Sequence, residues 1–465
     1  MDYISQNELK QVREEIAKVR TPETLVEGKW NISPLNRDPN VLSNFGPPRY
    51  PDSVVIRDNT LRTIEQTPGV CLSDSERQRL AAALVEAGLR SLHTALLYQP
   101  TKRLQRGDPK ELLSLTSGAS EKEVKFIKSL DSSIEVIVGG STEEEVDAVV
   151  DSGADMVQIF FPCMPILNLV YGIYGRQIQR AAWRGEDWRK TIHPPLTNEA
   201  LIERIQELST YAKSKGLKVQ LATPQLLHAS LEYFDKLCKG ASEVGIEEIG
   251  LGDGSSAFGH EAYAYLVSRA VEMAPGVRIC LSRPHNGFGN AMAKAMAGIH
   301  AGAEVLEGSV NSLCTGAGQV DITEAVAALE VLYGVKTGVK MERLTSLRRL
   351  VEDISQVFMA QNKPVTGEHA WSYTEEANTE EDELGLYLHK CVNPALFGNV
   401  GRLVVGRYSG TWTMWGILNE IGVSVEKDLV PIILDEVKHE IEIRKRVLSD
   451  DEIKEIAERI KSMSG

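Results

Sequence analysis

The chain has 465 residues, of which 42% are hydrophobic and 25% are charged, a composition typical of a globular protein with one barrel-sized domain and smaller parts. The formal net charge of -14 argues against a nucleic-acid or anionic-membrane surface, but it is compatible with a local basic pocket for an anionic substrate. The six cysteines form no CxxC pair, and we find no signal peptide and no run of about 18 apolar residues, so we expect a cytoplasmic protein with reduced thiols.

The first 52 residues are polar and predict a helix over about residues 6–19, followed by an extended arm rich in Pro and Asn. From residue 53 onward, short β-branched runs alternate with amphipathic stretches. The predicted strands cover residues 53–57, 91–95, 134–138, 156–161, 217–222, 248–252, 277–282 and 303–307. Eight strand–helix alternations favour an α/β fold of the (β/α)8 TIM-barrel type over an open sheet, and no GxGxxG follows the first strand.

The alternation ends near residue 340. A helical pattern over residues 341–358, an acidic stretch, a strand-like run at 401–410 and three further helical segments predict an appended, mostly helical region. We therefore divide the chain into an arm at residues 1–52, a barrel of catalytic type at 53–338 and a C-terminal region at 339–465.

Residues 166–193 form an insert after the fourth predicted strand, in which aromatic and basic side chains alternate. Tyr174, Arg180, Trp183 and Arg184 are its candidate lid residues. We expect a lid over the barrel mouth or a dimer contact, with an acyl-CoA contact as a further hypothesis. The acidic composition of the chain argues against nucleic acid as the partner of this insert.

Two motifs carry a resemblance to a known superfamily. VIRDNTLRTIEQTPGV, at residues 55–70, resembles the DTTLRDGEQxPG signature of the DRE-TIM metallolyases, and residues 283–312 are similar to their HxHNDxGxAxAN…AGAxxVEGTVNG signature. Members include isopropylmalate, homocitrate and citramalate synthases and hydroxymethylglutaryl-CoA lyase. NKPVTGEHAWSY and LVVGRYSG in the C-terminal region are similar to stretches of the synthases. The resemblance therefore indicates the synthase branch with its pyruvate carboxyltransferase-type domain.

The resemblance implies roles for several residues, and most of the superfamily's metal ligands are replaced. Arg62 stands where the family's arginine polarises a keto or enolate oxygen, whereas Thr63 and Arg283 stand where an aspartate and a histidine bind the metal. Of the two metal-binding histidines only His285 remains. Because a guanidinium repels a cation and one imidazole is too few ligands, we predict no catalytic divalent metal and no other cofactor.

The remaining candidates follow from strand ends and from the resemblance. His93 replaces a glutamate at the end of strand 2, and it joins Arg62, Arg283 and His285 as a candidate catalytic residue. The candidate substrate-binding residues are Asp58, Glu65, Gln66, Asp253, Asn286, Asn311, Gln319, Tyr373 and Tyr408.

Two features have alternative interpretations. Arg62 and Arg283 either clamp a carboxylate beside His285, or Arg283 forms an internal ion pair, for example with Asp58 or Asp253. Cys314, in a Gly-rich loop, is either a nucleophile with a lowered pKa or a small residue in a tight turn.

The sequence favours a divergent, metal-independent enzyme, an acyltransferase or carbon–carbon lyase, that makes or breaks a C–C bond next to a carboxylate. Its substrates would be a small anion of the 2-oxoacid type and an acyl-CoA. One alternative is a metal-free enzyme of a different reaction class. Another is a non-catalytic or regulatory relative that binds a small anion or a partner through the old site. The resemblance implies a homodimer formed through the C-terminal region.

Overall fold

The computed structural model describes residues 6–94, 121–161, 178, 181–182, 184–223, 229–374 and 390–464. The chain divides into two compact units, Arg37–Phe358 and a second unit of Met1–Asn36 with Met359–Gly465. The unit boundaries differ from the predicted domain boundaries, since part of the predicted arm and the first helix of the predicted C-terminal region lie in the barrel unit. Among the described residues, no helix is long and apolar enough to cross a membrane.

The barrel unit contains eight parallel strands that close on themselves, with β8 paired to β1. The strands are β1 Val55–Asp58, β2 Ser91–His93, β3 Glu135–Gly139, β4 Met156–Phe160, β5 Lys218–Thr223, β6 Glu248–Gly252, β7 Arg278–Ser282 and β8 Val305–Gly308. Every predicted strand lies within two residues of an observed one, and the TIM-barrel prediction is confirmed. The carboxyl ends of all eight strands therefore meet at one mouth, where the βα-loops begin.

Helices surround the barrel, and several of them begin or end at recognisable capping residues. The described helices of this unit are α2 Pro39–Leu42, α3 Thr60–Thr63, α4 Asp74–Glu86, α5 Glu121–Leu130, α6 Glu143–Ser152, α7 Asn198–Ser214, α8 Leu231–Glu243, α9 His260–Met273, α10 Ala291–His300, α11 Ile322–Ala328 and α12 Leu344–Ser355. Helix α4, for example, begins with a capping box in which the side chains of Ser73 and Glu76 each bond the other's backbone N–H. Gly153 ends α6 in the left-handed conformation.

A layer of charged and polar side chains crosses the barrel interior below the mouth. Arg57 is fully buried, and its guanidinium contacts both carboxylate oxygens of Glu248, the hydroxyl of Ser91 at 2.9 Å and the carboxylate of Glu135 at 3.3 Å. Gln220 also donates to Glu248. Every charge in this layer has an oppositely charged partner. The layer therefore explains why Arg57 can be buried without a bound ligand.

The segment that precedes β1 is fastened to the barrel wall from residue 37 onward. Arg37 donates hydrogen bonds to the backbone oxygens of Leu332 (3.1 Å) and Val331 (2.8 Å). The ring of Tyr50 stacks between those of His300 and Tyr333, at centroid distances of 4.6 and 4.2 Å. This part of the predicted arm is therefore packed structure rather than a free extension.

The second unit contains helix α1 Gln6–Lys18, as predicted, and a short antiparallel pair, Leu25–Val26 with Trp30–Asn31. Three helices, α13 Thr411–Glu420, α14 Val430–Arg444 and α15 Asp450–Ser464, share one apolar core. The strand predicted at residues 401–410 is wrong, because among the described residues this run forms no strand and has one isolated bridge, between Tyr373 and Leu403. The hydroxyl of Ser409 donates to the backbone oxygen of Thr374 at 2.7 Å and accepts from the backbone N–H of Gly406 at 2.9 Å, which turns the chain before a strand can extend.

Candidate functional site

The turn after β1 places Arg62 at the mouth of the barrel. The carboxylate of Asp58, the last residue of β1, accepts hydrogen bonds from the backbone N–H (2.9 Å) and the hydroxyl (2.6 Å) of Thr60. These bonds start the short helix α3, which carries Arg62. Burial raises the pKa of Asp58 to about 7. Asp58, a predicted substrate-binding residue, thus uses its oxygens to shape the turn that positions Arg62.

Two arginines lie at this mouth. Arg62 follows the first strand, β1, and Arg283 follows the seventh, β7. Arg62 is only 9% exposed, and its Nη1 is buried without a hydrogen-bond partner. The Nε of Arg283 is also buried without a hydrogen-bond partner, and it lies 4.0 Å from Oε1 of Glu307. Burial, together with the positive charge of Arg283, lowers the pKa of Arg62 to about 9. Two positively charged side chains whose buried donors have no acceptor are suited to bind an anion.

Arg283 holds a strained backbone conformation directly after β7. Its φ is 57°, in the left-handed region that residues with large side chains rarely adopt. The backbone N–H of Arg283 bonds the oxygen of Leu281 at 3.1 Å, which ends the strand with a sharp turn. Strain of this kind persists where the surrounding structure holds it, and it is concentrated at functional sites.

The expected partners of Arg283 are engaged elsewhere. Asp58 is bonded to Thr60, and Asp253 forms a buried ion pair with Lys294 of α10. The carboxylate near Arg283 is instead that of Glu307, in β8. The predicted pairing with Asp58 or Asp253 is therefore wrong, although an internal carboxylate is present.

Glu307 and His93 form a close pair inside the mouth. Nδ1 of His93, at the end of β2, lies 2.6 Å from Oε1 of Glu307, and neither side chain is exposed. Burial lowers the pKa of His93 to about 4 in spite of the neighbouring carboxylate, because the charges of Arg62 and Arg283 act in the same direction as burial. Nε2 of His93 is buried without a hydrogen-bond partner.

Further donors surround Glu307 and hold its orientation. The side-chain amide of Asn59 donates to Oε1 at 3.0 Å, and the hydroxyl of Ser282 donates to Oε2 at 3.2 Å. Burial alone would raise the pKa of Glu307, but His93 and the two nearby arginines, Arg283 and Arg57, hold it well below its usual range. Glu307 is accordingly an ionised carboxylate inside the barrel mouth.

His285 lies on the other side of the mouth, next to Cys314. The Sγ of Cys314 lies 4.0 Å from Nε2 of His285 and 3.5 Å from Oε1 of Gln66, so these three predicted residues are brought together. Burial lowers the pKa of His285 to about 4, with Arg283, Lys294 and Arg62 adding to the effect. Burial raises the pKa of Cys314, which is the opposite of an activated thiolate.

A buried lysine holds the backbone of His285. Nζ of Lys294 is fully buried, bonds a carboxylate oxygen of Asp253 and donates to the backbone oxygen of His285 at 2.7 Å. The other carboxylate oxygen of Asp253 accepts from the backbone N–H of Ala257 at 2.9 Å. Asp253, predicted to bind substrate, thus supports His285 indirectly.

The residues at the superfamily's metal positions do not fit a divalent cation. The hydroxyl of Thr63 donates to the backbone oxygens of Leu313 (2.9 Å) and Asn59 (3.1 Å), and the amide of Gln319 donates to Oδ1 of Asn59 at 2.6 Å. Arg283 presents a positive charge at a third position. Within the described part of the chain, no group of three His, Cys, Asp or Glu residues is arranged to hold a metal ion.

The loop between β8 and α11 depends on glycine at one point. Gly318 has a φ of 81°, and a Cβ there would lie 2.0 Å from the backbone oxygen of Ser312. The next residue, Gln319, donates its backbone N–H to that same oxygen at 3.1 Å. This close approach carries Cys314 and Gln319 to the mouth.

Three predicted substrate-binding residues have structural contacts instead. Glu65 accepts from the guanidinium of Arg77 and from the backbone N–H of Leu72 (3.0 Å), and Asn286 caps α10 by accepting from the backbone N–H of Ala291 at 3.1 Å. The side chain of Asn311 donates to the backbone oxygen of Arg348 at 3.1 Å, but its Oδ1 is buried without a partner.

The remaining predicted residues are Tyr373, Tyr408 and the four lid candidates. Tyr373 and Tyr408 belong to the second unit, where Lys390 lies over the ring of Tyr373 at 5.2 Å and Tyr408 is exposed. The lid candidates Tyr174, Arg180 and Trp183 fall outside the described residues, and Arg184 is exposed. The lid therefore stays a prediction.

Sequence reasoning missed Glu307, Asn59 and Lys294. Glu307 ends a predicted strand within a recognised motif, and Asn59 follows another, so strand-end position was an available signal for both. Lys294 stands in an apolar helical pattern, where a lone charged residue indicates a buried partner.

Comparison with known proteins agrees with this fold. A family described as HMGL-like matches residues 192–351. A candidate (R)-citramalate synthase, CimA, of Methanopyrus kandleri is 29% identical over 415 residues, which cover 88% of this chain and 73% of the relative. The homocitrate synthase AksA of Methanothermobacter thermautotrophicus is 24% identical over 412 residues, covering 88% and 93%.

A solved structure shares the fold. The crystal structure of the HMG-CoA lyase of Bacillus subtilis has a TM-score of 0.51 and 19% identity, and the match covers 66% of this chain and 94% of the lyase. The expected enzyme class, an acyltransferase or carbon–carbon lyase, is confirmed at that level by the names of the curated relatives. The chain is therefore similar to the HMGL-like family over residues 192–351, and relatives named as citramalate and homocitrate synthases match it over 88% of its length.

Proposed function

We propose that this protein is an enzyme that forms or cleaves a C–C bond at a 2-oxoacid, using Arg62 and Arg283 rather than a divalent metal to bind the oxygens of the oxoacid. The coarser part of the proposal is supported by relatives named citramalate and homocitrate synthases. The metal-free part is supported by the residues at the metal positions, whose donors and charges are unsuited to a cation.

The single observation that carries the proposal is a pair of guanidinium groups, on the buried Arg62 and the half-buried Arg283, each with one buried nitrogen that has no hydrogen-bond partner among the described residues. Arg62 and Arg283 bring two positive charges to the mouth, and Glu307, which is itself bonded to His93, supplies one negative charge. His93 and His285 both have a pKa of about 4, so they are neutral at pH 7. Asp253 and Lys294 neutralise each other. Among these groups the balance is positive, and a bound carboxylate would offset it. Asp58, whose pKa of about 7 leaves it partly ionised at pH 7, makes that balance smaller.

The same arrangement suits the reaction chemically. A carboxylate takes bidentate hydrogen bonds from a guanidinium, and a second guanidinium can then face the adjacent keto oxygen. When a C–C bond forms at the keto carbon, negative charge develops on that oxygen. Fixed donors in a buried site stabilise such a charge strongly, because they are already oriented and little water competes with them.

Turnover under metal chelation tests this proposal. The purified protein is dialysed against EDTA and assayed with acetyl-CoA and a series of 2-oxoacids, starting with pyruvate, by release of free CoA thiol. We expect thiol release that EDTA does not abolish and that Arg62→Gln lowers by about 100-fold or more, the size found when one oxyanion donor is removed. Activity that disappears with EDTA and returns with a divalent ion would contradict the metal-free part.

A binding measurement separates an enzyme from a non-catalytic relative. Oxalate, a stable analogue of an oxoacid enolate, is titrated calorimetrically into the wild-type protein. Oxalate binding without turnover of any oxoacid would favour the alternative of a non-catalytic, anion-binding relative. The structural argument for that alternative is that His93 and Arg62 are almost completely buried. Absence of both binding and turnover would reject the site itself.

A further inference from the structure

We infer that His93 and Glu307 form the proton-accepting dyad of the proposed reaction, with Nε2 of His93 as the catalytic atom and Glu307 as its positioning residue. This inference rests on the proposed function and deepens it by assigning the proton transfer to one of the two imidazoles at the mouth.

The hydrogen-bond geometry defines the state of the ring. The distance of 2.6 Å between Nδ1 of His93 and Oε1 of Glu307 is that of a short, charge-assisted bond. Glu307 already accepts hydrogen bonds from Asn59 and Ser282, and an ionised carboxylate can only accept. Nδ1 therefore carries the hydrogen and donates it, which leaves the lone pair on Nε2.

Nε2 is an acceptor that no described donor fills. The Nε2 atom is buried, and no described residue is its hydrogen-bond partner. The ring is held in its orientation by the bond between Nδ1 and Glu307. A buried polar atom without a partner is unfavourable, so its retention indicates a ligand or a reacting proton. The ring belongs to the same cluster as the arginines, because Oε1 of Glu307, which is bonded to Nδ1 of His93, also lies 4.0 Å from Nε of Arg283.

The second imidazole is less suited to accept a proton. Nε2 of His285 lies 4.0 Å from the thiol of Cys314, and among the described residues no carboxylate contacts the ring. A proton placed on His285 would face Arg283 and Arg62, and the nearest carboxylate on that side, Asp253, is already paired with Lys294. A proton placed on His93 would be stabilised by Glu307 at hydrogen-bond distance.

The condensation step balances without another reactant, and water afterwards hydrolyses the product thioester, which releases the CoA thiol that the assay detects. Nε2 of His93 takes the proton from the carbon next to an acyl carbonyl, and the electron pair of that C–H bond attacks the keto carbon of the oxoacid. The electrons of the C=O double bond move to its oxygen, next to Arg62 and Arg283. The proton held by His93 then moves to that oxygen and gives a tertiary alcohol. In the cleavage direction the same groups act in reverse.

Four variants test the dyad: two at His93, one at Glu307 and a control at His300. His93→Asn keeps an N–H that can donate to Glu307 but removes the base, and Glu307→Gln removes the charge while keeping the shape. His300→Asn is the matched control, because this buried histidine bonds the backbone oxygen of Pro47 at 2.6 Å away from the mouth. Thermal unfolding of each variant checks that it is folded, and kcat and KM are measured with acetyl-CoA and pyruvate.

We expect His93→Asn to lower kcat by about 100- to 10,000-fold, the range for loss of a general base, with KM for pyruvate within about threefold of wild type. Glu307→Gln should lower kcat about 10- to 100-fold, as loss of an orienting partner does. Imidazole in the buffer should restore part of the activity of His93→Gly but none of that of Glu307→Gln. A folded His93→Asn with kcat within threefold of wild type would overturn the dyad.

A second measurement judges the dyad even if pyruvate is not a substrate. Nitrogen NMR of protein labelled at histidine reports the tautomer of each ring, and the signal missing from His93→Asn identifies His93. The Nδ1–H tautomer supports the proposal. The Nε2–H tautomer overturns it, because the unpartnered atom would then be a donor. Lack of turnover in the wild-type protein counts against the proposed function, whereas this tautomer result concerns the dyad alone.

Discussion

The Nε atom of Arg283 lies 4.0 Å from Oε1 of Glu307, within ion-pair range but beyond hydrogen-bond distance. Oε1 is instead bonded to His93 at 2.6 Å and to the amide of Asn59 at 3.0 Å. Glu307 therefore balances the charge of Arg283 without using its donors. This separation leaves the buried Nε–H of Arg283 available to a ligand, since a direct bond to Glu307 would use that donor.

Replacement of Arg283 by glutamine should weaken oxalate binding by about 10- to 100-fold, since a hydrogen bond to a charged group contributes about 1.5–3 kcal/mol. Arg62→Gln should have a similar effect. Calorimetric titration at constant ionic strength measures the loss. Arg90→Gln is the matched control, because Arg90 forms an exposed ion pair with Asp131 and should leave the affinity unchanged. Equal affinities for wild type and Arg283→Gln would remove the anion site.

The buried pair of Lys294 and Asp253 should respond as a unit. Lys294→Met leaves the Asp253 carboxylate buried without its partner, and we expect it to lower the free energy of unfolding by about 3–5 kcal/mol. Asp253→Asn should be similar, and the double variant should cost clearly less than the sum. Urea unfolding of the four proteins completes the cycle.

An exposed pair provides the control for that cycle. Arg79 and Asp353 lie 3.0 Å apart with more than half of each side chain exposed. Their cycle should give a coupling of about 1 kcal/mol or less. Additive effects for Lys294 and Asp253 would contradict the ion pair described here.

The metal site should be recoverable by restoring the superfamily's ligands. Thr63→Asp together with Arg283→His removes the misplaced cation and supplies a carboxylate and an imidazole next to His285. We expect the double variant to retain about one Mn²⁺ or Zn²⁺ per chain after dialysis, and the wild-type protein to retain far less, as measured by elemental mass spectrometry. Stoichiometric metal in the wild-type protein would show that other residues complete a site.

Much of the barrel could be predicted from the sequence because each buried parallel strand is a short β-branched run between amphipathic helices. The pattern placed all eight strands within two residues. The location of Arg62, Arg283, His285 and His93 at the mouth could also be predicted, because each ends or closely follows a strand and strand ends share one mouth.

The partners of these residues could not be predicted. Glu307 pairs with His93 across 214 positions of sequence, and Lys294 reaches Asp253 across 41. Which carboxylate neutralises which cation depends on side-chain direction and register around the barrel, and no local pattern encodes that. The strand predicted at 401–410 failed for a related reason, since a β-branched run becomes a strand only where another strand pairs with it.

The protonation of the two mouth histidines should make stability depend on pH in a defined window. Both His93 and His285 have a pKa of about 4 in the folded protein, below the ordinary 6.5. The unfolded chain therefore binds more protons between pH 4 and 6.5, and stability is full above about 6.5 and declines as pH falls towards 4. Asp58 has the opposite sign, because its pKa of about 7 means that stability declines as pH rises from about 4 to 7.

The two effects can be separated by variants measured in urea at pH 5 and 6. The two imidazoles raise the free energy of unfolding as pH rises, and the one carboxyl lowers it. Together these three groups should raise the free energy of unfolding of the wild-type protein by about 1.4 kcal/mol per pH unit in that interval. His285→Asn removes one imidazole and should bring the slope from these groups close to zero, whereas Asp58→Asn should roughly double it. An unchanged slope in His285→Asn would mean that its imidazole ionises in the folded protein much as it does in the unfolded chain. The mouth would then hold a bound anion or be open to water. In either case the positive charges of Arg62 and Arg283 would be neutralised or screened, and His285 could take up a proton beside them.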